Sequence, residues 1–127
     1  MNTFEFWLDI HCAGSPACTI FGSLEMPVRP HAGERISFHQ LKGSDLQFQR
    51  VRFEAVCSRE TSVSVEVDEV SHYGVRRDGR LVFTSVIRAH PLNVSTLDDV
   101  RVVRDILTKQ CGLAVDPYGI NVFDAEG

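Results

Sequence analysis

The chain is expected to fold as one α+β domain: a curled, mainly antiparallel sheet of about six strands, partly open and barrel-like, with one C-terminal helix packed on it. Three observations carry this expectation. Apolar residues alternate with a period of two over most of the first ninety residues; the phase of that alternation slips once, around Asp68 and Glu69; and the period becomes helical after His90-Pro91. Alternation marks half-buried strands, and a phase slip within a strand marks a bulge, which bends it.

The first strand is read from "TFEFWLDIH", where Phe4, Phe6, Leu8 and Ile10 share one face and Glu5, Asp9 and His11 share the other. In "CTIFGSLEM", Cys18, Ile20, Leu24 and Met26 repeat the pattern. A hairpin with its loop at residues 13–17 would pair Cys12 with Cys18, Ile10 with Ile20, Leu8 with Gly22 and Phe6 with Leu24, aligning the apolar face in one register. A proline-bounded turn, "PVRPHAGER", then leads into a short strand carrying Ile36 and Phe38. Residues 48–57 form a further expected strand, in which Val51, Phe53, Ala55 and Cys57 alternate with Arg50, Arg52 and Glu54; pairing Cys57 with Val63 aligns it with the following run.

After the expected bulge the chain reaches Asp78-Gly79, the strongest hairpin-turn signal present. Counting back from it pairs Val75 with Val82, Tyr73 with Thr84, Val70 with Ile87 and Glu69 with Arg88. Beyond His90-Pro91, Ser95 or Thr96 can cap a helix over about 96–111 whose first turn holds Asp98 and Asp99. Leu97, Val100, Val103, Ile106 and Leu107 recur at helical spacing, Gly112 suits the C-terminal cap, and "LAVDPYGINVF" has the composition of a short last strand. No repeat, low-complexity tract or linker divides residues 1–127.

Size and composition narrow the function classes. A chain of 127 residues buries about two-thirds of its unfolded surface on folding, so it needs no disulfide or metal to hold it. It is 43% hydrophobic and 24% charged, without an apolar run long enough for a membrane span or a recognisable signal segment, and it has four cysteines. A cytoplasmic protein with reduced thiols is expected. The net charge of −4 is unevenly placed: residues 29–90 hold ten bases against eight acids, and eleven of the thirteen bases are Arg.

Four chemistries compete with plainer readings of the same residues. Zinc sites draw on close ligand pairs such as C-x-x-C or H-x3-H, and neither occurs; His11 and Cys12 are adjacent and point to opposite faces of a strand. Cys12, Cys18 and Cys57 fall on apolar faces and Cys111 lies beside the helix stripe, so they read as small core hydrophobes rather than nucleophiles. His39, His72 and His90 sit near strand ends without a catalytic motif. Arg50, Arg52, Arg76, Arg77 and Arg80 could form a strip for single-stranded nucleic acid, yet the overall acidity argues against it. No cofactor is implied.

One feature breaks the alternation in favour of function. Trp7 and Phe21 are neighbours on the otherwise polar face of the first hairpin, either beneath the helix or exposed for binding. The expectation is therefore a non-catalytic module that binds a protein partner or itself, with Trp7, Phe21, Tyr73, Arg76 and Arg77 as the binding residues. The alternative is a small enzyme or ligand binder with a pocket near His72, Tyr73 and His90.

Overall fold

The computed structural model describes residues 2–39 and 62–123. Its first hairpin joins β1 (Asn2–Cys12) to β2 (Ser15–Met26). The alternation works as expected on β1, where Phe4, Phe6, Leu8 and Ile10 are each at most 4% exposed. The turn is shorter than expected. Ala13 and Gly14 form it alone, with φ of 50° and 85°, the positive values that a two-residue hairpin turn demands.

That turn slides the register by two residues. Ile10 faces Cys18, Leu8 faces Ile20, Phe6 faces Gly22 and Trp7 faces Phe21, while a bulge between Ile10 and His11 leaves Cys12 opposite Ser15. Cys12 and Cys18, expected as cross-strand partners, are therefore not paired. An even slide preserves the face of every side chain, so the apolar side remains apolar. The short turn is held from elsewhere: the Ala13 amide donates to the Val94 carbonyl at 2.8 Å and the Gly14 amide to Asn93 Oδ1 at 2.8 Å.

β3 (Arg35–His39) pairs antiparallel with the start of β4 (Ser62–Arg77), bringing Phe38 opposite Val63. The strand expected at 48–57, with Arg50, Arg52 and the pairing of Cys57 to Val63, lies outside the described residues. β4 then pairs antiparallel with β5 (Arg80–Ala89) around the Asp78-Gly79 turn, in the register expected: Val75 with Val82, Tyr73 with Thr84, Val70 with Ile87 and Glu69 with Arg88. The pairing shifts between Val67 and Glu69, which is the bulge that the phase slip implied.

β1 lies in the middle of the sheet, and its second edge is filled by parallel partners. Glu5, Phe6 and Trp7 pair with Val86, Ile87 and Arg88 of β5; Ile10, His11 and Cys12 pair with β6 (Leu92–Val94). Between these two ladders the chain breaks at His90-Pro91, because proline has no amide proton for a ladder. With β7 formed by Ala114–Val115, the strand order is β3-β4-β5-β1-β2-β7, a curled half-barrel, with β6 against β1.

Thr96 caps α1 (Leu97–Asp105), its side chain accepting from the Asp99 amide at 3.1 Å, with Asp98 and Asp99 in the first turn. The last turn, Ile106–Gln110, is π-helical. Val100, Val103, Ile106 and Leu107 are fully buried, whereas Leu97, expected in the same stripe, is 46% exposed. Gly112, at φ 77°, ends the helix. β7 (Ala114–Val115) then pairs with β2, and Phe123 returns to the helix, where the guanidinium groups of Arg104 and Arg101 lie 4.6 and 4.9 Å from its ring centre. The helix stripe and the even-numbered residues of β1 share one core.

Candidate functional site

Because the helix fills the inner side, the odd-numbered side chains of β1 look the other way, onto an outer face that the helix does not cover. Trp7 and Phe21 lie on that outer face. They are half-buried, directly opposite each other, and stacked with ring centres 5.1 Å apart and planes at 19°. Such a stack contributes about 0.5–1.5 kcal/mol beyond its buried area. Arg88 lies beside Trp7 on β5 and Glu69 beside Arg88 on β4, so one row crosses four strands: Phe21, Trp7, Arg88, Glu69. The Arg88 Nε to Glu69 Oε1 distance is 3.8 Å, with both side chains more than half exposed. An exposed pair of this kind adds at most about 1 kcal/mol.

The next row holds Asp9, whose Oδ1 accepts from Thr19 Oγ1 at 2.7 Å. Two shallow clefts of about 200 Å³ flank it. One is walled by Trp7, Asp9, Asp68, Arg88, Ala89 and Pro91, the other by Asp9, His11, Pro16, Cys18, Thr19 and Ile120. The first occurs where the β4 bulge at Asp68 and the break after Ala89 interrupt neighbouring strands. His90 Nε2 sits 3.6 Å from Asp68 and 3.9 Å from Glu66, at its margin.

The chemistry of the second cleft is quiet. Cys18 is 2% exposed, and burial pushes its thiol up to about 11, with Arg104 opposing and Asp9 adding to the effect. A thiol held protonated at neutral pH is a poor nucleophile. Burial also raises Cys111. Among the described residues no group of three or more His, Cys, Asp and Glu side chains is arranged to hold a metal ion, and no helix is long and apolar enough to cross a membrane.

The residues of the alternative pocket do not converge. His72 and Tyr73 are consecutive on β4 and face opposite ways: His72 Nδ1 lies 2.7 Å from Ser85 Oγ, while Tyr73 stands opposite Thr84 and is 49% exposed. His90 is engaged with Glu66 and Asp68. Arg76, Arg77 and Arg80 gather at the β4–β5 tip, with Arg77 directly opposite Arg80 and Arg76 opposite Leu81.

One apolar feature was not anticipated. Beyond Ser71 and Ser85 the β4–β5 hairpin runs on as a ribbon with large apolar side chains exposed on both faces. Leu81 and Phe83, 65% and 63% exposed, lie over Gly74, where an added Cβ would meet Phe83 at 3.1 Å and Leu81 at 3.2 Å. Tyr73, Val75 and Val82 occupy the other face. The available signal was "LVF" beside a tight turn, three consecutive apolar residues that place hydrophobic groups on both sides of one strand. No protein-family model, curated protein or solved structure matches the chain.

Proposed function

We propose that the protein is a non-catalytic binding module that acts by protein–protein contact, self-association included. Its contact surface is the outer sheet face bearing Trp7, Phe21 and Tyr73, continued along the β4–β5 ribbon to Arg76 and Arg77. The observation that carries the reading is the ribbon: five large apolar side chains between 43% and 65% exposed. Contiguous exposed apolar surface in a folded domain is costly unless something covers it, and aromatic and Arg side chains are enriched where partners dock. Cys12 and Cys18 carry free thiols, which suits a reducing compartment, so a cytoplasmic location belongs to the same proposal.

The test is a comparison of Trp7→Ser and Phe83→Ser with the parent chain. Retention of fold, read by circular dichroism and thermal midpoint, together with at least a roughly tenfold loss of self-association or partner affinity, is the expected outcome; tenfold corresponds to about 1.4 kcal/mol of lost contact. A chain that stays monomeric and captures no partner from its native cell would overturn the reading. Unfolding of Trp7→Ser with no change in association would instead make Trp7 a core residue.

A further inference from the structure

The geometry points to a specific partner for the ribbon: a second copy of this chain, paired antiparallel about a two-fold axis at Tyr73 along the edge of β4 that no described strand covers. This deepens the reading of the protein as a self-associating module and rests on it.

The backbone supplies the first argument. A two-residue turn makes Arg77 and Arg80 a hydrogen-bonded pair, and alternation along an antiparallel ladder then turns the peptide groups of Val75, Tyr73 and Ser71 toward β5. Those of Val70, His72, Gly74 and Arg76 face the opposite edge. Before the bulge the phase is reversed, and the Val67 amide and carbonyl there bond Glu34 and Gly33 at 2.8 Å. After it, no described strand pairs with this edge of β4. An unpaired strand edge is a template for another strand.

The edge is self-complementary in one register. With Tyr73 opposite Tyr73 of the second copy, Val70 meets Arg76 and His72 meets Gly74, so the four outward-facing residues pair only among themselves and every outward N–H and C=O finds a partner. The neighbouring two-fold registers leave some of these groups unpaired or set them against the bulge or the turn.

Charge supplies the second argument. Arg77 faces Arg80 within its own hairpin, and like charges directly opposite are destabilising. The two-fold register brings Glu69 of the second copy opposite Arg77, and the reciprocal pair forms by symmetry. The outer-face row of Phe21, Trp7, Arg88 and Glu69 then continues into Arg77 of the second copy. On the same face, Val75 meets Ser71 and the exposed Tyr73 rings meet each other.

The test reads the register directly. Antiparallel residues in a non-hydrogen-bonded pair stand about 4.5 Å apart at Cα, within the range of about 4.4–6.8 Å that a disulfide spans. Mild oxidation of the full chain carrying Tyr73→Cys is expected to give a covalent dimer, while Val75→Cys, whose two copies lie four residues out of register, gives none above the parent. By sedimentation from low to high micromolar concentration the parent is a dimer, Arg77→Glu weakens it roughly tenfold, and adding Glu69→Arg restores it.

A parent that is monomeric throughout, or cross-linking equal at positions 73 and 75, overturns the proposal. A dimer indifferent to Arg77→Glu and not cross-linked through position 73 also overturns this interface, but leaves self-association standing through Trp7 and Phe21. A monomer that captures a different polypeptide through Trp7 would retain the binding reading and remove the second copy as its occupant.

Discussion

Gly22 offers the sharpest test of how the C-terminal segment is fastened to the sheet. It stands on the inner face opposite Phe6, beside Leu113 in the approach to the β2–β7 pairing. A Cβ built there would overlap Leu113 Cδ2 and lie 3.4 Å from Leu113 Cα. Leu113 has little room to retreat: it is 6% exposed, its amide donates to the Leu107 carbonyl at 3.0 Å, and Gly112 before it is fixed at φ 77°. Gly22→Ala must therefore force Leu113 off its rotamer or lift β7 from β2. Overpacking of this kind costs about 1–3 kcal/mol, offset by roughly 0.4–1 kcal/mol from the smaller entropy of an unfolded chain without that glycine. The net loss is about 1–2 kcal/mol. An unfolding entropy near 2.1 cal/mol/K per residue makes that a fall of roughly 4–8 °C in the thermal midpoint for a chain of this size. Denaturation of Gly22→Ala, Leu113→Ala and the double variant measures it, together with amide exchange over residues 113–123. The clash predicts a double variant less destabilised than the two single losses added together, because the second substitution removes the group that the first one strikes. A neutral Gly22→Ala, or strict additivity, would refute the reasoning.

Further expectations follow from the same contacts. The Cys18 thiol, held near 11 against an ordinary 9.0, stays neutral while an unfolded chain ionises, so stability falls as pH rises from about 9 toward 11, and Cys18→Ala flattens that slope in pH-dependent denaturation. In the native protein Cys18 should react with a thiol reagent at neutral pH far more slowly than half-exposed Cys12; equal rates would show that β2 opens there. Thr96→Ala removes the cap of α1 and should lower unfolding stability by about 1 kcal/mol, with Thr96→Ser restoring most of it. Gly79→Ala meets no neighbour within 4 Å, so any loss it causes, expected near 1 kcal/mol, reports the positive φ alone.

The β4–β5 hairpin was legible to the residue because every determinant is local. Asp78-Gly79 sets the turn, the turn sets the ladder, and the phase slip at Asp68 announces the bulge. The first hairpin shows where local reading stops. Its two-residue turn is held by Asn93 and Val94, some eighty residues away, and nothing within residues 11–18 reports that contact. The parallel pairing of β1 with β5 and β6 was invisible for a related reason: alternation assigns a strand's faces but says nothing of its neighbours. Trp7 and Phe21 were legible as neighbours through parity, which survives an even slide in register. The exposed ribbon was not, because whether Leu81 and Phe83 are covered depends on where the neighbouring strands end. Leu97 kept its helical spacing but stands in the first turn, too near the helix start to reach the core.

The central position of β1 also sets an order of events in folding. The β1–β2 ladder of residues 2–26 joins only residues near in sequence and can close before Asn93 and Val94 exist to brace its turn. Its inner strand then presents an open edge with Phe4, Phe6, Leu8 and Ile10 on one side, and the strands that cover this edge begin about eighty residues later, with Val86 through Val94. At the usual pace of synthesis the chain spends several seconds in that half-made state. Variants that delay the arrival of β5 and β6 should therefore show their defect as aggregation during production rather than as a lower melting point of whatever protein survives it.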